Sequence, residues 1–227
     1  AIDEAHSQGA FIFWNHSWWT PQSPQGISIL TDFHKKLISE NKLHGIEIVN
    51  GVNYSDEAFQ IAIDNNLTII GTSDVHNLID WDYSFYKGKH RPVTLVLSKD
   101  KTEKSIKDAL FKGRTVVWFK NKLIGLKDNL VPLLKSSLSF KSLGYEAGTF
   151  ILKVEIENKS DSKMMLKNIS KYTFSQNTDS FHVDAHSKKI IEIKTIVKLK
   201  EMNLTFKIQN AYIEPSKNPK VSFFVKI

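Results

Sequence analysis

The chain has 227 residues, 24% of them charged and 41% hydrophobic, with no cysteine and a formal net charge of +7. That is enough for one or two domains with a substantial core; it excludes disulfides and thiolate metal sites, and no apolar run reaches the ~18–20 residues that span a bilayer. The positive excess is confined to residues 131–227, with 16 basic against 9 acidic residues, while 1–130 carry 15 of each.

In chain order, the opening Ala1-Ile-Asp-Glu-Ala-His6 reads as the middle of a helix and not as a targeting segment. The chain is therefore expected to start inside a domain, and its compartment is left unassigned. Apolar strand-like runs follow at 10–15, 45–50, 67–73, 92–98 and 115–119. Helical patterns lie between them. Residues 29–42 place Leu30, Phe33, Leu37 and Ile38 at helical spacing. Ser55 stands before Asp56 and Glu57 as a helix cap, and Thr102 caps a helix expected to stop at Gly113. Strands alternating with helices at this spacing predict βα units and a parallel sheet or barrel, where chemistry gathers at the C-terminal ends of the strands.

Beyond about residue 130 the pattern changes. Residues 128–143 read as a last helix and 144–148 as a loop, with "SLGYEAGT" as the join between domains 1–143 and 144–227. Period-two runs follow: Phe150, Leu152, Val154 and Ile156; Ile191, Ile193, Val197 and Leu199; Leu204, Phe206 and Ile208; Val221, Phe223 and Val225. With turn chemistry at 158–161 and 215–218, they predict a small antiparallel β-sandwich. Its outward residues include Lys153, Lys194, Lys198, Lys200 and Lys207. The basic excess lies away from the candidate site and reads as solvated surface; nucleic acid is a possible partner that the pattern does not favour.

Two stretches carry the chemistry. "FIFWNHSWW" (11–19) and "LTIIGTSDVH" (67–76) are apolar strands running out into polar residues. Asp74 and His76 are two apart and project to the same side of an extended segment. A carboxylate with an imidazole suits Zn, Mn or Fe better than Ca or Mg. His16 at a neighbouring strand end strengthens the metal reading; alone, it reads rather as a hydrogen-bonded histidine at the sheet rim. Glu47 and Asn50 stand in "GIEIVNG", Glu47 between two isoleucines, as a site residue or a structural carboxylate. Trp18, in the loop directly after His16, is a candidate pocket wall. His34 and His44 read as surface or packing histidines. No G-x-S-x-G, Walker loop or G-x-G-x-x-G is present.

"WNH", "GIEIVNG" and "GTSDVH", in this order and spacing, resemble the last motifs of the PHP (polymerase and histidinol phosphatase) superfamily, and most of all its Sb-PDE-like phosphodiesterase branch. The stretch "RPVTLVLSKDKTEKSIKDALFKGRTVVWFKNKLIG" and an appended β-rich domain extend the resemblance over most of the chain. It implies the C-terminal part of a distorted (β/α)7 barrel, holding two or three divalent metals (Zn, Mn or Fe) for hydrolysis of a small phosphoester, a phosphodiester or a phosphomonoester. His16, Asp74 and His76 would be the late metal ligands, with Trp18, Glu47 and Asn50 on the substrate side. The early H-x-H and its companion ligands are absent, so the N-terminal half of the barrel is expected to be missing and the fragment alone to be inactive. The usual "NHP" reads Asn15-His16-Ser17, and Trp18 stands where the family has Gly. The rival reading is a non-catalytic binding or accessory protein with a degenerate barrel and a basic sandwich as docking module.

Overall fold

The computed structural model describes residues 1–83 and 90–227. The chain divides into two compact units, Ala1–Asn129 with Ile213–Lys217, and Leu130–Tyr212 with Asn218–Ile227.

The first unit begins with α1 (Ile2–Ser7), β1 (Phe13–Trp14), α2 (Asp32–Ser39), β2 (Gly45–Asn50) and β3 (Asn53–Tyr54). Then come α3 (Asp56–Asp64), β4 (Thr68–Thr72), α4 (Ile79–Asp82), β5 (Val93–Val96), α5 (Glu103–Phe111), β6 (Thr115–Phe119) and β7 (Lys122–Ile124). The helix starts follow the sequence: Ser55 accepts a hydrogen bond from the Ala58 N–H, and Thr102 from that of Ser105. β2 is the central strand, pairing in parallel with β1 on one side and β4 on the other. It is buried from Gly45 to Val49, the mark of a strand covered on both faces. Ile46, Ile48, Phe59, Ile69 and Ile124 form the heart of this core. Because the three strands run the same way, Trp14, Asn50 and Thr72 end them on one rim.

The expected parallel arrangement stops there. β5 and β6 are antiparallel partners, Val93 facing Trp118 and Val96 facing Thr115. The reason lies in the connection: Leu97 N–H donates to the Arg114 carbonyl at 2.9 Å, so after α5 the chain re-enters the sheet beside the point where it left. A parallel partner would require α5 to return it to the far end of β5. β7 then folds back on β6 through Lys120 and Asn121, whose φ angles of 45° and 61° are those of a tight primed turn. Strand β7 was not foreseen. Among the described residues, the parallel part of the expected (β/α)7 barrel is limited to β1, β2 and β4.

The last helix, α6 (Lys127–Ser137), is followed directly by β8 (Leu138–Tyr145), which corrects the expected helix over 128–143. Pairing decides this: β8 lies along β9 (Ile151–Asn158) from Leu138↔Asn158 to Tyr145↔Leu152, and such a ladder outweighs local propensity. The residues foreseen as the join thus belong partly to a strand, and the compact units divide between Asn129 and Leu130.

The second unit continues with β10 (Met164–Asn168), β11 (Thr173–Phe174), β12 (Ser180–Val183), β13 (Lys188–Lys194), β14 (Glu201–Ile208), β15 (Ala211–Tyr212) and β16 (Lys220–Lys226). Two antiparallel sheets form, ordered β12-β10-β14-β16 and β11-β13-β9-β8. The foreseen alternation holds: Leu152, Val154, Ile156, Ile191 and Ile193 are buried from one sheet, and Leu204, Phe206, Ile208, Val221, Phe223 and Val225 from the other. Phe140 stacks on Phe223 across the sandwich, ring centres 4.3 Å apart. Asn158, fully buried, holds the first predicted turn by accepting the Ser160 N–H and donating to the carbonyls of Ser162 and Asp184. Phe150 and Val197 depart from the pattern and are exposed.

Candidate functional site

Two residues past β1, His16 takes a left-handed backbone conformation, φ 54°, which is uncommon for a side chain with a Cβ. The buried carboxylate of Glu47 on β2 holds it there. Glu47 is 1% exposed, and its Oε2 accepts the His16 backbone N–H at 2.7 Å. The other oxygen accepts from the Thr72 hydroxyl at 2.5 Å and from Asn50 Nδ2 at 3.2 Å. A buried carboxylate is tolerated only when paired or fully hydrogen-bonded, and here the donors come from three strand ends. Glu47 also places Oε2 3.3 Å from His16 Nδ1. It therefore sits behind His16 and does not line the cavity.

The far side of the His16 ring faces Asp74. His16 Nε2 is 3.7 Å from Asp74 Oδ1. Asp74 too is left-handed, φ 52°, where the chain leaves β4. His76 lies on the same cavity, its Nδ1 2.7 Å from the Asp74 backbone carbonyl. A carbonyl only accepts, so Nδ1 is the donor, which in the neutral ring leaves the lone pair on Nε2, the arrangement in which a histidine ligates a cation.

His16, Trp18, Trp19, Asn50, Asp74 and His76 line a cavity of about 400 Å³ together with Thr20 and Asn53. Trp19 turns the edge of one ring toward the other at His16, centres 6.1 Å apart. Ser17 is buried and shares a 2.7 Å hydrogen bond with the Ser28 hydroxyl. Thr72 was not singled out from sequence. The signal for Thr72 was its polarity at the end of an apolar strand; in register it stands beside Asn50.

His34 and His44 pack as expected. His34 stacks on Trp14 at 3.8 Å, and burial lowers its pKa. His44 lies against Phe11 and Phe111, and burial lowers its pKa as well.

His16 and Asp74 suit two donors to one divalent ion, and His76 presents a third nitrogen to the same space. Among the described residues no group of three His, Cys, Asp or Glu side chains is drawn together closely enough to enclose a metal. The donor set fits part of a metal centre.

Comparison with known proteins bears on both units. A family model described as an Ig-like domain matches residues 138–224. A search of curated proteins finds no match. Among solved structures, the chain is similar to a two-domain protein from Bacteroides vulgatus ATCC 8482 containing a predicted PHP-like metal-dependent phosphoesterase, with TM-score 0.88 and 32% identity. The match covers 99% of this chain and 64% of that one. A C. elegans MSP family member, WR4, matches over 40% of this chain and 96% of its own at TM-score 0.27 and 15% identity, too remote to carry an argument. Over nearly its whole length, then, this chain is similar to a two-domain protein containing a predicted PHP-like metal-dependent phosphoesterase, and it spans 64% of that protein's length.

Proposed function

We propose that this chain supplies the late ligands of a PHP-type phosphoester hydrolase, with the phosphodiesterase branch as the favoured assignment. The observation that supports it most is the 3.7 Å approach of His16 Nε2 to Asp74 Oδ1 at the rim of a parallel sheet. His16, Asp74 and His76 would hold divalent metal (Zn, Mn or Fe), and donors outside these residues would complete the centre. Divalent metal held there would supply Lewis-acid activation of a water and charge stabilisation for phosphoester hydrolysis. The chain's own residues do the rest. Glu47 fixes His16 through its backbone N–H, Asn50 braces the His16 ring, and Trp18 and Trp19 wall the pocket against the ester's leaving group. On this reading the first compact unit, not the whole of 1–143, belongs to the barrel of the enzyme, and the second, from Leu130 on, forms an accessory sandwich. The substrate is a small phosphodiester or phosphomonoester.

The rival, a non-catalytic binding protein, draws on the lack of a three-donor cluster among the described residues. Metal analysis of the full-length protein, with turnover on an aryl phosphodiester, separates the two. Bound divalent metal and hydrolysis lost in Asp74→Ala support the enzyme; a metal-free, inert protein overturns it.

A further inference from the structure

The second unit carries an exposed feature that its sandwich core does not use. The loop between β13 and β14 is pinned at both ends. Thr195, 8% exposed, donates its backbone N–H and its hydroxyl to the Phe150 carbonyl at 2.9 and 3.0 Å. Leu199 N–H donates to the Tyr145 hydroxyl at 2.8 Å, and the Lys200 carbonyl accepts the Ile227 N–H at 2.8 Å. Between these anchors Ile196 is 93% exposed and Val197 56%. Single exposed apolar residues are ordinary. Two adjacent branched aliphatics held out by a hydrogen-bonded loop are a built projection.

The surroundings are cationic. Lys194, Lys198 and Lys200 lie in or beside the loop, and Lys171 precedes β11, whose Thr173 faces Lys194 across the ladder. None of these four forms an ion pair among the described residues, whereas Lys153, Lys163 and Lys188 of the same unit each do. Of the nearby carboxylates, Glu192 is engaged by Lys153 at 3.8 Å and Glu201 stands opposite Lys226. A recess of about 400 Å³, lined by Lys171, Tyr172, Lys194, Ile196 and Val197 among others, opens beside the projection.

We propose that this loop docks the protein on an anionic bilayer surface, with Ile196 and Val197 entering the headgroup–acyl boundary and the four lysines meeting lipid phosphates. The combination selects the occupant. A soluble polyanion would use the lysines and leave both aliphatics in water; a protein groove would use the aliphatics and have no need of four cations without a carboxylate partner, two of which, Lys171 and Lys198, lie over the Tyr172 and Tyr145 rings. A bilayer with anionic lipid uses both. The proposal is independent of the phosphoesterase reading.

The test is co-sedimentation of the full-length protein with vesicles of phosphatidylcholine alone or mixed with phosphatidylglycerol. Binding is expected to the mixed vesicles only and to weaken with salt. Ile196→Asp with Val197→Asp should lower that binding at least tenfold, as should replacing the four lysines with serine. An unchanged thermal midpoint would show that the fold is intact. No binding to mixed vesicles overturns the proposal. So does binding that needs the lysines but is indifferent to Ile196 and Val197, which would mark a site for soluble polyanions.

Discussion

The backbone N–H of His16 and the carboxylate of Glu47 are joined by a 2.7 Å hydrogen bond, with Glu47 1% exposed. This bond couples the core of the first unit to the strand end that carries the candidate ligands. The same carboxylate accepts from Thr72 and Asn50, so the ends of β1, β2 and β4 share one buried charge.

Glu47→Gln is expected to destabilise the protein by ~1–3 kcal/mol, because an amide cannot accept from all these donors and leaves a buried polar group unpaired. Urea unfolding reads this as a lower midpoint. An unchanged midpoint would mean that water satisfies the donors.

Asp74→Asn should weaken divalent-metal binding by the full-length protein at least tenfold, a loss of ~1.4 kcal/mol. Calorimetric titration with Zn or Mn measures it. Because Asp74 is exposed, stability should hardly change, and equal metal affinity in both forms would remove Asp74 from the ligand set.

Gly71 lies in β4 where β6 passes close by, and an added Cβ would run into the Val117 side chain. Gly71→Ala is expected to cost ~1–3 kcal/mol through overpacking. Adding Val117→Ala removes the clashing methyls, so the pair should be less damaging than the two single costs added together. Strict additivity in a double-mutant cycle would show that the contact is not the cause.

His44 and His34 set a pH dependence. Burial lowers both pKa values from the ordinary 6.5, so near that pH the unfolded chain binds more protons than the folded one and stability rises with pH. Stability should fall as pH drops through about 6.5, the value for the unfolded chain, and level off below the folded-state pKa values. His44 Nδ1 also accepts the Ile12 N–H at 3.0 Å, which only an unprotonated nitrogen can do. Thermal midpoints across this range test the sign, and His44→Phe should flatten part of the slope.

Much of the local structure was legible in the sequence. Ser55 and Thr102 cap the helices they were expected to cap, and the alternation at Leu204, Phe206 and Ile208 buries one face of a strand. Both signals are carried by residues a few positions apart, with periods set by backbone geometry. The placement of His16, Asp74 and His76 on one rim followed from strands that run out into polar residues. What tertiary structure decided was the partner of each strand. Residues 92–98 and 115–119 read as βα-unit strands, and only the return of the chain at Arg114 to Leu97 made β5 and β6 antiparallel. Residues 138–143 read as helix, and only the neighbouring β9 made them a strand. Glu47 could have been a site residue or a structural carboxylate by its spacing. Besides Asn50 on its own strand, its donors come from residues 16 and 72, remote in the chain, and periodicity along one segment holds no record of which other segment will lie against it.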